Sequence, residues 1–259
     1  PKLKEVGNHP LIHILTQSEA EEVEGFVGNF KVRVRQNPRY INPEKCTRCQ
    51  KCEGVCPVRV PSEFNMGLTE RPAIYLPSPH AVPFTYTIDS ENCLFLRKGE
   101  CGKCRQVCPE GAVEFEQVGV ERQFDIGTII VATGYDPFDA RQKPEFGYGR
   151  YKNVMTGLEF ERLLSESGPT QGKIQINGKE PKNIVFIQCV GSRDKTVGNE
   201  YCSRVCCMFT AKQASLIKER LPDARVTICY IDIRAFGKGC EQFYEQVQKK
   251  GVFYRKGIP

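Results

Sequence analysis

Hydrophobic and polar positions alternate near the start of the chain. In its last third, apolar segments typical of strands and helices follow one another in the order of a βαβ unit. Val32 and Val34 alternate with charged residues, and Gly28-Asn29 separates two such runs, which predicts a β-hairpin with one buried face. Residues 1–42 are therefore expected to be β-structure. From residue 181 onward the pattern predicts alternating strands and helices, with strands over 183–188 and 225–231 and helices over 203–221 and 241–250.

The middle of the chain is less regular. Residues 143–180 are expected to connect two regions and to contain one short amphipathic helix over 157–167. The apolar run 124–134 predicts a buried strand ending in Ala132-Thr133-Gly134, and a glycine there lets the backbone approach a bound group closely. Prolines exclude a continuous helix over 60–84, so this stretch is either an ordered connector or a docking surface.

Cysteine changes this picture, because twelve of the fourteen cysteines fall into three groups. The first two groups end in Cys-Pro, and the first matches the bacterial ferredoxin run residue for residue. Zinc sites usually join two Cys-x-x-Cys pairs from a dozen or more residues apart, and a chain of this size needs no disulfides. We therefore predict iron–sulfur clusters. The groups are Cys46, Cys49, Cys52 and Cys56; Cys93, Cys101, Cys104 and Cys108; and Cys189, Cys202, Cys206 and Cys207.

The segment around the first group recurs around the second. Residues 41–46 match residues 88–93, and residues 51–57 match residues 103–109, with a longer spacing only between Cys93 and Cys101. Two copies of one half-module predict a two-cluster ferredoxin domain, in which the fourth cysteine of each run binds the other cluster. The expected ligands are Cys46, Cys49, Cys52 and Cys108 for the first cluster and Cys93, Cys101, Cys104 and Cys56 for the second.

The third group lies in a βα turn. Cys189 ends a predicted strand and the other three cysteines begin a predicted helix, with Cys202 and Cys206 on one face. The turn has one glycine, Gly191, and no Gly-x-Gly-x-x-Gly, so we do not expect it to bind NAD(P)H. An anionic cluster would suit the helix N-terminus where a pyrophosphate normally rests. The alternative is that adjacent buried cysteines only fill a core.

The run over 124–134 resembles the second flavin-contacting segment of two-dinucleotide-domain flavoproteins of the thioredoxin-reductase type. This resemblance implies FAD contacts at Ala132, Thr133 and Gly134, and an α/β flavoprotein-type fold with an inserted α+β ferredoxin domain. The first flavin motif is absent from the sequence, so we expect a piece of a longer protein that completes the FAD site. The implied domains are 1–42 with 112–142 for FAD, 43–111 for two clusters, 143–180 as connector, and 181–259 as a degenerate dinucleotide-type βαβ domain.

The motifs together resemble the A subunit of heterodisulfide reductase, the flavin and iron–sulfur component of that enzyme in methanogens and related anaerobes. The resemblance implies a third cluster on the third cysteine group, and FAD that takes part in electron bifurcation. It also implies ferredoxin and the other subunits of a hydrogenase-type complex as partners. Lys212 resembles the family's flavin-proximal lysine, whose charge would stabilise anionic reduced flavin; the alternative is a solvated helix lysine. The resemblance is carried by Cys46 to Pro57, Pro61 to Gly67, Ala73 to Tyr75, Cys101 to Pro109, Ala132 to Pro137, Cys189 to Arg193, Tyr201 to Cys207 and Arg234 to Gly239.

Charge and hydropathy limit the other function classes. The net charge of +6 counts cysteines as neutral, and twelve thiolates with three oxidised clusters would bring the protein close to neutrality. We therefore expect no nucleic-acid partner, no membrane span and a reducing, cytoplasmic location. A quinone-linked relative from sulfate reducers and a passive electron conduit remain alternatives. Cys229 is expected in the core, and Cys240 has no assigned role.

Overall fold

The computed structural model describes residues 2–257, which divide into two compact units, residues 2–134 and residues 135–257. The first unit contains α1 (Lys2–Gly7), β1 (Ser18–Phe26), β2 (Asn29–Gln36), α2 (Lys51–Val55), β3 (Val60–Pro61), β4 (Glu70–Arg71), β5 (Ile74–Tyr75), β6 (Thr87–Ile88), α3 (Leu94–Lys98), α4 (Lys103–Gln106) and β7 (Val120–Ile126). The second contains α5 (Gly157–Leu164), β8 (Asn183–Ile187), α6 (Cys206–Arg220), β9 (Arg225–Tyr230), α7 (Cys240–Lys249) and β10 (Phe253–Lys256), with 3₁₀ turns at Ala140–Gln142, Pro144–Phe146 and Lys195–Val197.

The predicted hairpin is confirmed as part of an antiparallel sheet with strand order β1-β2-β7. Phe26 pairs with Asn29, so the turn is Val27-Gly28, one residue earlier than the expected Gly28-Asn29, and the φ of +93° at Gly28 favours glycine. Val32 is buried between exposed neighbours, as the alternation predicts. β2 pairs with β7 from Phe30 to Gln36, so the intervening residues 37–119 lie between two strands that are neighbours in one sheet.

Two expectations for this unit are wrong. Residues 2–7 form a helix, and the first strand starts only at Ser18, although residues 1–42 were expected to be β-structure; Pro1 lies outside the described residues. The predicted buried strand over 124–134 stops at Ile126, and Ile130 and Val131 are 87% and 77% exposed. A strand is stable only beside a partner, and within residues 2–257 no strand pairs with residues 127–134.

The internal repeat is visible in the packing. Ile41 and Ile88 occupy equivalent positions and are only 2% and 4% exposed, so each anchors one copy in the same core. The next residue in each copy is Asn42 or Asp89, and its side-chain oxygen accepts the backbone N–H two residues later. The extra residues of the second copy, between Cys93 and Cys101, contain the short helix α3.

An ion cluster around the buried Arg71 supports the second copy. The Arg71 side chain is 9% exposed, contacts Glu63, and places its Nη2 3.0 Å from Asp89 Oδ2. Its guanidinium also lies over the Tyr75 ring, 3.7 Å from the centroid. Burial alone would raise the pKa of Asp89. Hydrogen bonds from Asn92 and Arg71 have a larger effect in the opposite direction, so this pKa is lowered. Since the Asp89 carbonyl accepts the N–H of Cys93 at 2.9 Å, the ion cluster holds the start of a cysteine loop.

The second unit has the predicted alternation of strands and helices. Strands β10, β9 and β8 are parallel and adjacent in that order, α6 connects β8 to β9, and α7 connects β9 to β10. Helix α5 begins with a capping box in which Thr156 and Glu159 bond each other's backbone N–H. Its apolar face joins the core of this unit, so residues 143–180 are part of a packed unit and not only a connector. Among residues 2–257, no helix is long and apolar enough to cross a membrane.

Replacing Arg71 by Met should destabilise the first unit by about 3 kcal/mol, because Asp89 would keep a buried charge without its partner. Lys45→Met is the matched control: Lys45 pairs with Glu114 on the surface, and its loss should change stability by about 0.5 kcal/mol. Urea unfolding followed by circular dichroism measures both. Because the pKa of Asp89 lies below its ordinary 3.8, the effect of Arg71→Met should be full at neutral pH and shrink as the pH falls through that pKa. Equal losses in the two variants would contradict this account.

Candidate iron–sulfur sites

Four cysteines border one cavity of the first unit, which we name site 1. Cys46, Cys49 and Cys52 come from the first copy of the repeat, and Cys108 comes from the second. The loop between them passes through two left-handed residues, Arg48 (φ 59°) and Gln50 (φ 65°). Non-glycine residues rarely adopt this conformation, and where it is held it often marks a functional loop. Other lining residues include Ile41, Tyr86 and Val113.

The remaining four cysteines of the repeat border a second cavity, site 2. Cys93, Cys101 and Cys104 come from the second copy, and Cys56 comes from the first. Left-handed backbone recurs at Cys101 (φ 86°) and Gly102 (φ 83°), directly before α4, just as Gln50 precedes α2. The cavity walls are mainly apolar and include Ile74, Ile88, Phe95 and Phe115. Each cavity therefore gathers three cysteines of one copy and one of the other, the grouping expected from the sequence.

The donor sets of both sites fit four-iron clusters. In the described part of the chain no three His, Cys, Asp or Glu side chains are placed to hold one metal ion; the four thiols of each site instead surround a common cavity. All fourteen cysteines are free. Burial raises the pKa of Cys52 to about 12 and that of Cys104 to about 11, so metal binding there would displace protons.

The third cysteine group, site 3, lies where β8 leads into α6. Cys189 follows β8 with a left-handed φ of 61°, and Cys206 and Cys207 are the first two residues of α6. The interaction of Cys206 with the thiols of Cys189 and Cys207 lowers the pKa of Cys206 and raises the pKa of each of the other two. The arrangement favours one anionic sulfur that two neighbours stabilise, as expected of residues poised to bind metal.

Cys202 belongs to the same group but does not lie on the helix. It was expected to share a helix face with Cys206, and this is wrong because Arg204 has a left-handed φ of 64° and α6 begins only at Cys206. Helical backbone cannot continue through such a residue. Cys202 instead sits in the preceding loop, where its Sγ accepts the N–H of Arg204 at 3.3 Å.

Hydrogen bonds hold the loop of site 3 together. Ser192 Oγ donates to the carbonyl of Tyr201 at 3.0 Å and accepts the N–H of Ser203 at 2.9 Å. The Arg193 N–H also donates to the Tyr201 carbonyl, at 2.9 Å. These bonds fasten the segment after Cys189 to the segment around Cys202. Site 3 is thus brought together by the loop, without a glycine-rich turn.

Two arginines lie near site 3. Arg193 and Arg234 both pair with Asp232, at 2.7 and 3.4 Å. The bond to Asp232 raises the pKa of Arg234, and the nearby Cys202 and Cys207 raise it further, which places this guanidinium in the field of the sulfurs. Positive charge here would compensate an anionic cluster.

The residues predicted to contact flavin lie apart from the cysteine sites in sequence. Lys212 is half exposed on α6 and pairs with Glu161 of α5 at 2.9 Å. Ala132, Thr133 and Gly134 form an exposed stretch without regular structure, in which Gly134 has a φ of +76°. Cys229 is buried in β9, as expected of a core residue, and Cys240 begins α7.

Part of the first unit is similar to a known family of iron–sulfur domains. Residues 39–62, which contain the first cysteine group, match the 4Fe-4S binding domain. Together with sites 1 and 2, this match defines an iron–sulfur protein with a ferredoxin-type module.

Several proteins are similar to this chain over its whole length. The A subunit of H(2):CoB-CoM heterodisulfide,ferredoxin reductase from Methanothermobacter marburgensis is 49% identical over 100% of this chain and 39% of its own length. The iron-sulfur A subunit of CoB--CoM heterodisulfide reductase from Methanocaldococcus jannaschii has the same identity and coverage. The A subunit of Ferredoxin/F(420)H(2)-dependent CoB-CoM heterodisulfide reductase from Methanosarcina acetivorans is 48% identical over 99% of this chain and 32% of its own.

The chain is therefore a relative of the A subunit of CoB-CoM heterodisulfide reductase, which confirms the resemblance seen in its motifs. It spans about two fifths of the length of the first two of these proteins, 39% in each case. Their names describe subunits of an oxidoreductase, in agreement with the enzyme class expected from the sequence.

Replacing Cys56 by Ala should disturb the cluster of site 2, although Cys56 belongs to the first cysteine run. Its electron paramagnetic resonance spectrum after reduction should match that of Cys104→Ala and differ from that of Cys52→Ala, because Cys56 and Cys104 border the same cavity. Cys240→Ala serves as control, since Cys240 belongs to none of the three groups. A Cys56→Ala spectrum that matches Cys52→Ala would show that each run holds its own cluster.

Anaerobically prepared protein should contain about 12 iron and about 12 sulfide per chain, from three four-iron clusters. Metal analysis with acid-labile sulfide determination measures both. Stoichiometric zinc with little iron would contradict all three sites. About 8 iron would contradict site 3 alone.

Proposed function

We propose that this chain is the electron-relaying part of a heterodisulfide reductase-type subunit, with three [4Fe-4S] clusters and a contribution to an FAD site. The observation that carries the proposal is the interleaving of the two repeat copies, which places three cysteines of one and one of the other around each cavity. The whole-chain similarity to the A subunit of heterodisulfide reductase supports the same function.

The proposed ligands are the four cysteines of each site. When bound, such clusters pass single electrons, whereas FAD takes up or gives off two. Site 1 is Cys46, Cys49, Cys52 and Cys108; site 2 is Cys93, Cys101, Cys104 and Cys56; and site 3 is Cys189, Cys202, Cys206 and Cys207.

The protein's own contribution is to hold the sulfurs and to set their surroundings. At site 2, apolar side chains such as Phe95 and Phe115 exclude water from one side. At site 1, Tyr86 donates to Glu53 Oε2 at 2.6 Å, so a polar pair stands beside the cavity. Burial and hydrogen bonding tune cluster potentials, so different walls give the two clusters different potentials.

Site 3 occupies the βα turn where a dinucleotide-binding protein would hold its cofactor's phosphates. This turn has no Gly-x-Gly-x-x-Gly motif, and its space is taken by four cysteines with Arg193 and Arg234 nearby. We infer that site 3 replaces a nicotinamide as the group that exchanges electrons with FAD. Ala132, Thr133 and Gly134 are the proposed FAD contacts, since an exposed glycine backbone with positive φ admits close approach.

The proposed role in the complex is electron bifurcation. Of the two electrons delivered to the flavin, one would pass to ferredoxin and the other to a disulfide-reducing partner. The name of the M. marburgensis relative supports this choice of partners, because it gives both the heterodisulfide and ferredoxin as groups that are reduced. The name of the M. acetivorans relative also includes ferredoxin, but as the source of electrons. Lys212 is proposed to stabilise anionic reduced flavin.

Cys206→Ser should remove the site 3 cluster and slow flavin reduction or oxidation at least about tenfold while FAD stays bound in the assembled complex. Stopped-flow absorbance of the flavin measures this, with Cys240→Ser as the control. If flavin kinetics are unchanged in a Cys206→Ser protein that has lost its site 3 iron, site 3 is structural. A passive conduit predicts that no flavin is bound at all.

Lys212→Ala should lower the flavin's two-electron potential by about 30 mV, a tenfold change in the equilibrium, and leave the iron content unchanged. The reason is the loss of a cation that favours the anionic reduced form. Lys218→Ala is the matched control, since Lys218 lies on the same helix and donates to the Ala224 carbonyl instead. An unchanged potential in Lys212→Ala would contradict the proposed role.

A further inference from the structure

Gln188 lies beside the cysteines of site 3, and its side-chain amide is buried. It lies between the last residue of β8 and Cys189, and its backbone N–H donates to the carbonyl of Cys229 at 3.0 Å. Its side chain is 2% exposed, and Oε1 lies 3.7 Å from Cys207 Sγ. Its Nε2 is fully buried and has no hydrogen-bond partner within residues 2–257. A buried N–H₂ without a partner is costly, so its position calls for a physical explanation.

Cys207 faces two acceptors and one donor. Its thiol reaches Gln188 Oε1 and the carbonyl of Asp232, both at 3.7 Å, and its Sγ accepts the N–H of Arg234 at 3.4 Å. A free thiol has one proton to donate, so these contacts suit the metal-free state. A metal-bound thiolate has none, and it would then face the lone pairs of Gln188 Oε1 in a buried place that is only 7% exposed. Water is too scarce there to relieve this repulsion.

A half-turn of the Gln188 amide gives its nitrogen a partner and replaces the Gln188 lone pairs with a donor, while the Asp232 carbonyl stays beside the sulfur. The oxygen and nitrogen of an amide are nearly the same size, so the side chain needs no repacking to exchange them. Nε2 then lies beside Cys207 Sγ, where it gains an acceptor. The sulfur exchanges a repulsive neighbour for a second donor beside the Arg234 N–H.

We propose that Gln188 is a positioning residue for site 3, whose side-chain amide donates a hydrogen bond to the Cys207 thiolate when the cluster is bound and thereby raises the cluster's reduction potential. Hydrogen bonds to a ligand sulfur favour the more negative, reduced state of the cluster. This inference rests on the proposed function, because it requires a cluster at site 3. Gln188 lies outside the cysteine motif and would set how readily this cluster accepts an electron.

The test compares two buried glutamines of the same unit. Gln188→Met removes the amide and keeps the length of the side chain. Gln213→Met does the same at a residue that is 1% exposed and bonds Gly157 and Glu161, not a cysteine. Redox titration monitored by electron paramagnetic resonance should show the site 3 cluster of Gln188→Met about tenfold harder to reduce, about 59 mV lower for one electron. The other two clusters, and all three in Gln213→Met, should keep their potentials.

An unchanged or raised site 3 potential in Gln188→Met, with about 12 iron retained, would overturn the inference. If Gln188→Met loses its site 3 iron, a second measurement tests whether a glutamine nitrogen lies beside the cluster. Unsubstituted protein carrying ¹⁵N in its glutamine side chains should show a ¹⁵N coupling to the reduced site 3 cluster by pulsed electron paramagnetic resonance. Gln213→Met should keep this coupling.

Absence of the ¹⁵N coupling from labelled protein with about 12 iron would overturn the role of Gln188 and leave the proposed function standing. About 8 iron in the unsubstituted protein would overturn the role of Gln188 together with the site 3 part of the proposed function, since site 3 would then hold no cluster. The two failures are therefore distinguishable by metal analysis of the same sample.

Discussion

The first unit depends on one geometric constraint, which is that a four-iron cluster needs four thiolates around one cavity while each cysteine loop brings three. The fourth cysteine at each cavity comes from the other copy: Cys108 at site 1 and Cys56 at site 2. Neither cavity is complete until the two copies pack together around Ile41 and Ile88. Cluster binding and the folding of this unit are therefore expected to be coupled.

Similar sequences in the two copies produce different surroundings for the two sites. The loop of site 1 starts at the neutral Asn42, whereas that of site 2 starts at Asp89, which is charged and paired with buried Arg71. Tyr86 at the site 1 cavity is hydrogen-bonded to Glu53, whereas the rings of Phe95 and Phe115 line site 2. The repeat thus supplies one architecture twice, and substitutions at a few positions give each site its own electrostatic environment.

Local patterns were enough to predict the hairpin, the repeat, the grouping of cysteines and the helices and strands after residue 181, because spacing and alternation determine these features. The errors arose where the outcome depends on pairing with another strand or on the backbone conformation of a single residue. Residues 127–134 have the composition of a buried strand but no partner strand among the described residues. Cys202 lies outside the helix because of the conformation of Arg204, which side-chain periodicity does not reveal. The roles of Arg71 and Gln188 depend on burial, and neither residue belongs to a motif.

Anomalous diffraction at the iron edge, from crystals of the anaerobic protein, tests the central claim most directly. The account predicts three separate iron cubanes, with Cys56 Sγ bonded to the one that also binds Cys93, Cys101 and Cys104, and Cys108 Sγ bonded to the one with Cys46, Cys49 and Cys52. It would be contradicted by a map in which Cys56 shares its cluster with Cys46, Cys49 and Cys52, or in which a single metal ion replaces the cubane.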